Sequence, residues 1–214
     1  MKVVSVNVGM PREVAWKGMT VQTGIFKKPV AGTVKVGRLN LEGDQQADLT
    51  VHGGAAKAVY AYPAAHYDHW RRELPEVEFH WGKFGENLTT DGLDEEGLCI
   101  GDLVRAGSAL LTVTQPRLPC YKLAIRFDRD DMLKRFLVSG RTGMYFSVTE
   151  PGEVSAGADI EIISRDVNRI SVADVTRLFL GQTRNAEQLA RALRVSALPE
   201  SWKSELGLRA QRGG

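Results

Sequence analysis

Short runs of β-branched and apolar residues, punctuated by glycine, fill the first 163 residues of this 214-residue chain. Such runs are too short for long helices, and their close spacing with glycine-rich turns argues against a doubly wound sheet. They predict a mainly β fold with some α, built as a barrel or sandwich of short strands. The candidate strands are residues 3–8, 33–39, 58–62, 103–106, 109–115, 144–148 and 160–163. Two helical pieces interrupt them. Residues 63–73 open with Pro63 at a first-turn position and place Tyr67 and Trp70 at helical spacing. Asp130 or Asp131 can cap a helix over 132–138 that ends at Ser139-Gly140.

The texture changes near Ser164. Ser171-Val-Ala-Asp174 resembles a capping box for a helix over 172–180, stopped by Gly181. Asn185 can cap a second helix over 186–195, and Ser201 opens a third through Leu208. The expected organisation is a β domain over 1–163 and a small three-helix bundle over 164–214. Charge divides the same way, with +4 on 164–214 and −2 on 1–163. A net charge of +2 with no basic–aromatic interleaving argues against nucleic acid as a partner. Two cysteines make no disulfide framework, and no apolar run approaches membrane-spanning length, so a reducing cytoplasm is the expected compartment.

Chemistry concentrates in Thr114-Gln-Pro-Arg-Leu-Pro-Cys120-Tyr-Lys-Leu123. Pro116 and Pro119 end regular pairing, so Cys120 is expected in an irregular loop between Arg117 and Lys122. Nearby cations favour the thiolate, the form that ligates metal or attacks an electrophile. The alternative is a small buried hydrophobe. A second cluster, Gly43-Asp-Gln-Gln-Ala-Asp48-Leu-Thr-Val-His52-Gly-Gly54, gathers Asp44, Asp48 and His52. Two carboxylates and an imidazole can bind zinc, but the glycines favour loop–strand–loop, where a histidine followed by Gly-Gly admits a ligand close to the backbone. Phe84-Gly-Glu-Asn87 and Gly140-Arg141-Thr-Gly143 are further glycine-spaced loops. Lys27, Lys57, Arg117, Lys122 and Arg141 would cradle an anion if they converge.

Taken together, the stretches Thr23-Gly-Ile-Phe-Lys-Lys-Pro-Val30, Gly43-Asp-Gln-Gln-Ala-Asp48, His52-Gly-Gly54, Phe84-Gly-Glu-Asn-Leu88, Ile100-Gly-Asp102 and Gln115 to Leu123 resemble, in order, the MOSC domain family in its YiiM-like branch. Residues 167–175 resemble the start of the three-helix appendage of that branch, while Ala56 departs from an acidic residue expected there. The resemblance implies a MOSC-type β-barrel core that binds the molybdenum cofactor, a phosphorylated pterin dithiolene, with Cys120 as the metal ligand. Lys27, Lys57, Asn87, Arg117 and Arg141 are the candidate cofactor-binding residues. The implied activity is reduction of N-hydroxylated compounds, N-hydroxylaminopurine-type bases among them. His52, with Asp44 or Asp48, is the candidate for proton delivery.

No strand–Gly-x-Gly-x-x-Gly–helix fingerprint is present, so electrons are expected from a separate flavoprotein or ferredoxin-like donor. The basic segment after residue 164, with Arg184, Arg191 and Arg194, is its expected docking surface. The alternative function is a cofactor carrier or sulfur-handling module that does not turn over.

Overall fold

A computed structural model describes residues 1–47 and 53–212. Among these residues the chain begins with strands β1 (Lys2–Val8), β2 (Arg12–Trp16), β3 (Met19–Thr23), β4 (Lys28–Pro29) and β5 (Thr33–Val36). A 3-10 turn (Ala55–Lys57) leads into β6 (Val59–Pro63), α1 (Ala65–Glu73) and β7 (Leu88–Asp91). Then follow β8 (Leu103–Ala106), β9 (Ala109–Pro116), α2 (Tyr121–Phe127), α3 (Met132–Ser139), β10 (Met144–Glu150), β11 (Gly152–Ser155) and β12 (Ile160–Ser164). Three helices close the chain, α4 (Val172–Phe179), α5 (Ala186–Arg194) and α6 (Glu200–Arg212).

Among the described residues eight strands form one mixed sheet in the order β12-β8-β9-β10-β6-β7-β1-β4, in which only β6 and β7 pair in parallel. The expected closed barrel is not formed as a continuous ladder among the described residues. Its edge strand β4 has two residues and contains Pro29, which has no N–H to extend a ladder. The sheet curls nonetheless. Lys2 bridges Asp159, and the Val3 N–H donates to the Ala158 carbonyl at 2.9 Å. Strands β2 and β3 form a separate hairpin around Lys17 and Gly18, both with positive φ, as a two-residue primed turn requires.

Period-two alternation assigns each strand face to a different apolar cluster. In β6, Val59 and Ala61 enter one cluster, while Tyr60 and Tyr62 enter the other. Strand β10 repeats the pattern, with Met144, Phe146 and Val148 on the first face and Tyr145 on the second. The second cluster is aromatic: Tyr62, Tyr67, Trp70, Phe84 and Phe136 are fully buried against α1 and α3. Each such side chain contributes roughly 1.5–3 kcal/mol by leaving water. Polar ends are satisfied too, since the Trp70 indole N–H donates to the Tyr62 hydroxyl at 2.7 Å.

The first cluster does not stop at the sheet. Val172, Val175 and Leu178 of α4, Ala192 of α5, and Trp202 and Leu206 of α6 belong to it, beside Leu111 and Val113 of β9. Capping follows the sequence at two of three expected sites. Ser171 and Asp174 exchange both bonds of a capping box, and Asn185 accepts from the Glu187 and Gln188 N–H groups. Asp131 occupies the N-cap of α3 without capping it, because its carboxylate is held by Arg129 and Arg135.

Candidate functional site

Strand β9 ends at Pro116 and delivers Arg117-Leu-Pro-Cys120 to the surface of the aromatic cluster. Cys120 ends the expected irregular stretch 117–120, and it is also the N-cap of α2, where extended backbone geometry turns into helix. Its carbonyl accepts from the Leu123 N–H at 2.8 Å. The thiol is half-buried and free. Cys99, the other cysteine, is buried elsewhere, and burial pushes its thiol above the ordinary range.

Cys120 lines a pocket with Lys27, Lys57, Asn87, Arg117 and Lys122, and with Tyr60 and Tyr145. Arg117 is buried, and its Nη1 donates to the Phe84 carbonyl at 2.6 Å and to the Tyr60 hydroxyl at 3.3 Å. Its guanidinium lies 4.8 Å from the Tyr60 ring centroid. Burial opposes its charge, but the Tyr60 and Tyr145 oxygens outweigh burial and raise its affinity for the proton. No carboxylate forms a salt bridge with it among the described residues. Tyr145 stands opposite Tyr60 in the β6–β10 ladder, with ring centroids 5.0 Å apart. The Tyr60 hydroxyl proton goes to the Thr142 carbonyl at 2.8 Å. That of Tyr145, which Arg117 faces, has no acceptor among the described residues.

A polar network fixes the opposite wall. Asp44 is buried, and its oxygens take the Lys27 ammonium, the Gly9 N–H at 2.9 Å and the Asn87 amide at 2.9 Å. The Asn87 oxygen accepts from the Tyr60 N–H at 3.1 Å, joining this wall to β6. Burial pushes Lys27 below its ordinary pKa, against the pull of Asp44. Burial also pushes half-buried Lys57 down, while Cys120 draws it up. Beneath the pocket, Glu86 is fully buried and accepts from Tyr67, from the Gly82 and Phe84 N–H groups and from Thr89. Gly85 permits this packing, since its φ is +79° and a Cβ would lie 2.8 Å from Ile25.

The structure therefore brings Cys120, Lys27, Lys57, Asn87 and Arg117 into one pocket. Asp44 stands behind the pocket, and its committed oxygens suit anchoring Lys27 and Asn87 rather than proton delivery. Arg141 goes elsewhere. It donates to the Ser139 carbonyl at 3.0 Å, at the end of α3, and lines a different depression with His66 and Glu95. Asp48 and His52 lie outside the described residues. Among those described, no cluster of three His, Cys, Asp or Glu side chains could hold a metal.

Sequence reasoning missed Tyr60, Tyr145 and Glu86. Alternation along 58–62 and 144–148 carried a signal for the tyrosines, because both fall on the face opposite Val59 and Phe146. The arrangement offers one soft thiol and several cations around a shared cleft. That chemistry suits an anionic group bearing a thiophilic metal.

Among the described residues no helix is long and apolar enough to cross a membrane. The MOSC domain model matches residues 48–161, and the YiiM-like 3-alpha helix domain model matches residues 170–212. YflK of Bacillus subtilis is 44% identical over 202 residues, which cover 94% of this chain and 91% of that protein. A protein of Gibberella moniliformis named a reductase is 34% identical over 176 residues, covering 81% of this chain but 31% of its own length. The crystal structure of YiiM from Geobacillus stearothermophilus superposes with a TM-score of 0.80 at 33% identity and covers 98% of both chains.

Proposed function

The chain belongs to the MOSC family, in its YiiM-like branch, and on that premise we propose that the Cys120 pocket binds the molybdenum cofactor and reduces N-hydroxylated compounds. One observation carries the reading: an accessible thiol shares a pocket with Lys27, Lys57, Lys122 and a buried Arg117 that makes no salt bridge among the described residues. A buried guanidinium without a carboxylate is costly unless an anion completes it. The phosphate and dithiolene of the cofactor are such anions, and a thiolate suits molybdenum. The name of the fungal reductase agrees with redox chemistry, although it belongs to a much longer protein.

When bound, the cofactor supplies two-electron redox chemistry at molybdenum. The chain's own residues do the rest. Cys120 Sγ is the protein ligand to the metal. Arg117, fixed by Phe84 and Tyr60, and Lys27, fixed by Asp44, hold the anionic parts. Asn87 ties those two walls together. Tyr145 carries an uncommitted hydroxyl proton at the pocket wall and supplies it to the leaving oxygen. The net reaction is R–NHOH plus two electrons and two protons giving R–NH2 and water. The electrons come from a separate reduced flavoprotein or iron–sulfur protein.

The test is to purify the protein from a molybdenum-replete host, measure bound metal, and assay reduction of N-hydroxylated bases with reduced methyl viologen. Stoichiometric molybdenum and turnover are expected. Molybdenum without turnover would instead fit a carrier, and absence of molybdenum would end the proposal.

A further inference from the structure

Outside the pocket, one group of cations is gathered around a single ring. The Arg12 guanidinium lies 3.8 Å from the Phe26 ring centroid, and that of Arg126 lies 4.9 Å from the same ring. Arg126 Nη2 is 2.8 Å from His80 Nε2. The other ring nitrogen of His80 is 2.8 Å from the Trp81 carbonyl, which makes Nδ1 the protonated one and leaves Nε2 to accept from Arg126. Lys83 follows His80 in the same turn and stands 5.0 Å from the Phe127 ring centroid.

Several cations on the surface are paired. Lys2, Lys17, Arg71, Arg129, Arg135, Arg177 and Arg209 each make a salt bridge. Arg12, Lys83 and Arg126 make none among the described residues, and Arg126 Nε is buried without a partner. The nearby carboxylates do not neutralise them. Glu13 accepts from Gln22, while Glu86 attracts Arg126 and Glu78 attracts Lys83 only at longer range, with no salt bridge. Like charges held together are unfavourable for folding alone. Burial and Arg126 push Lys83 below its ordinary value, and burial with Arg12 does the same to Arg126 against the pull of Glu86.

The patch also has a position. Phe26 lies between Ile25 and Lys27, both of which line the Cys120 pocket. Cys120 is the N-cap of α2, which carries Arg126 in its last turn, about 9 Å further along its axis. The hairpin that bears Arg12 is pinned by Lys17 to Asp130, beyond α2. By contrast, Arg191 in the C-terminal segment is committed to the Asn168 and Arg169 carbonyls.

We propose that Arg12 and Arg126, grouped around Phe26 beside the pocket, and Lys83 next to Arg126, dock the acidic face of the reduced electron-donor protein. The inference rests on the reductase reading. An acidic protein is favoured over a small anion because none of the three lines the pocket and Arg12 is exposed. Docking here places the donor near Cys120 and makes association dependent on ionic strength.

The test compares the holoprotein with R12E, K83E and the R12E/K83E pair, using an acidic flavodoxin and an acidic two-iron ferredoxin as donors. Arg12→Lys serves as the conservative control. Calorimetry measures donor binding at low and high salt, and turnover is measured with each donor and with reduced methyl viologen. The expected result is that at least one donor binds wild type at low salt, and that the pair weakens this by about tenfold or more and flattens its salt dependence. Arg12→Lys retains binding, and viologen turnover is unchanged. Failure of both donors to bind wild type at low salt overturns the proposal, as does unaltered binding to the pair. A KM for a nucleotide substrate that rises in the pair with viologen as donor assigns the patch to a small phosphate and also overturns it. Loss of the reductase reading is distinguishable, because wild type would then fail with viologen too.

Discussion

Arg117 Nη1 donates to the carbonyl oxygen of Phe84 at 2.6 Å, so a buried cation in the Cys120 pocket is held by backbone rather than by a carboxylate. The contact links the end of β9 to the Phe84-Gly-Glu-Asn loop. A lysine there would lose the guanidinium's contact with the Tyr60 ring, 4.8 Å from its centroid. Arg117→Lys is expected to lose about 1–3 kcal/mol of stability, measured by urea unfolding, together with bound molybdenum. Retention of both would contradict the anchoring role.

Cys120→Ala removes the thiol but little packing, because the side chain is half-buried. The variant is expected to fold with wild-type circular dichroism and to lose bound molybdenum by at least about tenfold. Metal analysis of the purified protein decides the matter. Full metal content would exclude Cys120 as the ligand.

Tyr145→Phe deletes a hydroxyl that donates to no acceptor among the described residues, so stability should change little. If that hydroxyl delivers the proton, kcat falls by roughly 10²–10⁴ while KM is nearly constant. The pH profile of kcat should change shape in the variant. An unchanged kcat and profile would move proton delivery to another group.

Alkaline pH should destabilise the fold through its tyrosines. Burial raises the phenols of Tyr60, Tyr62, Tyr67 and Tyr145 above their ordinary value. Above a pH of about 10 the unfolded chain releases these protons while the native chain keeps them, so stability falls by up to about 1.4 kcal/mol per pH unit for each phenol. Below that pH the four contribute no slope. Tyrosinate absorbance from these residues should therefore rise only together with loss of near-ultraviolet dichroism. A rise that precedes unfolding would contradict their burial.

Ser171→Ala breaks the capping box of α4 but keeps the backbone bridge of residue 171 to Cys99, which needs no side chain. The expected loss is about 0.5–2 kcal/mol in urea unfolding. Asp174→Asn should lose less, because the Ser171 oxygen still accepts from the N–H of residue 174.

The seven strands expected from β-branched runs are all present, because period-two alternation is a local property that tertiary packing did not override. The β2–β3 hairpin escaped notice because Lys17 adopts a positive φ that its residue type does not advertise. Helix α2 escaped because Pro119 and Cys120 read as a chain break, whereas proline immediately before the N-cap is compatible with a helix start. Cys120, Lys27, Lys57, Asn87 and Arg117 were legible as motif members. Their convergence was not, since it depends on β9, β6 and the Phe84 loop meeting in space. Arg141 shows the opposite failure, in which a cation in a glycine-rich loop serves its own helix end.

Strand β9 bears α4 residues on one side and ends in the segment that presents Arg117 and Cys120. The terminal helices thus act as a buttress for the thiol: cavities introduced at Val175 or Trp202 would loosen the bed on which the Cys120 sulfur rests, although neither residue lines the pocket.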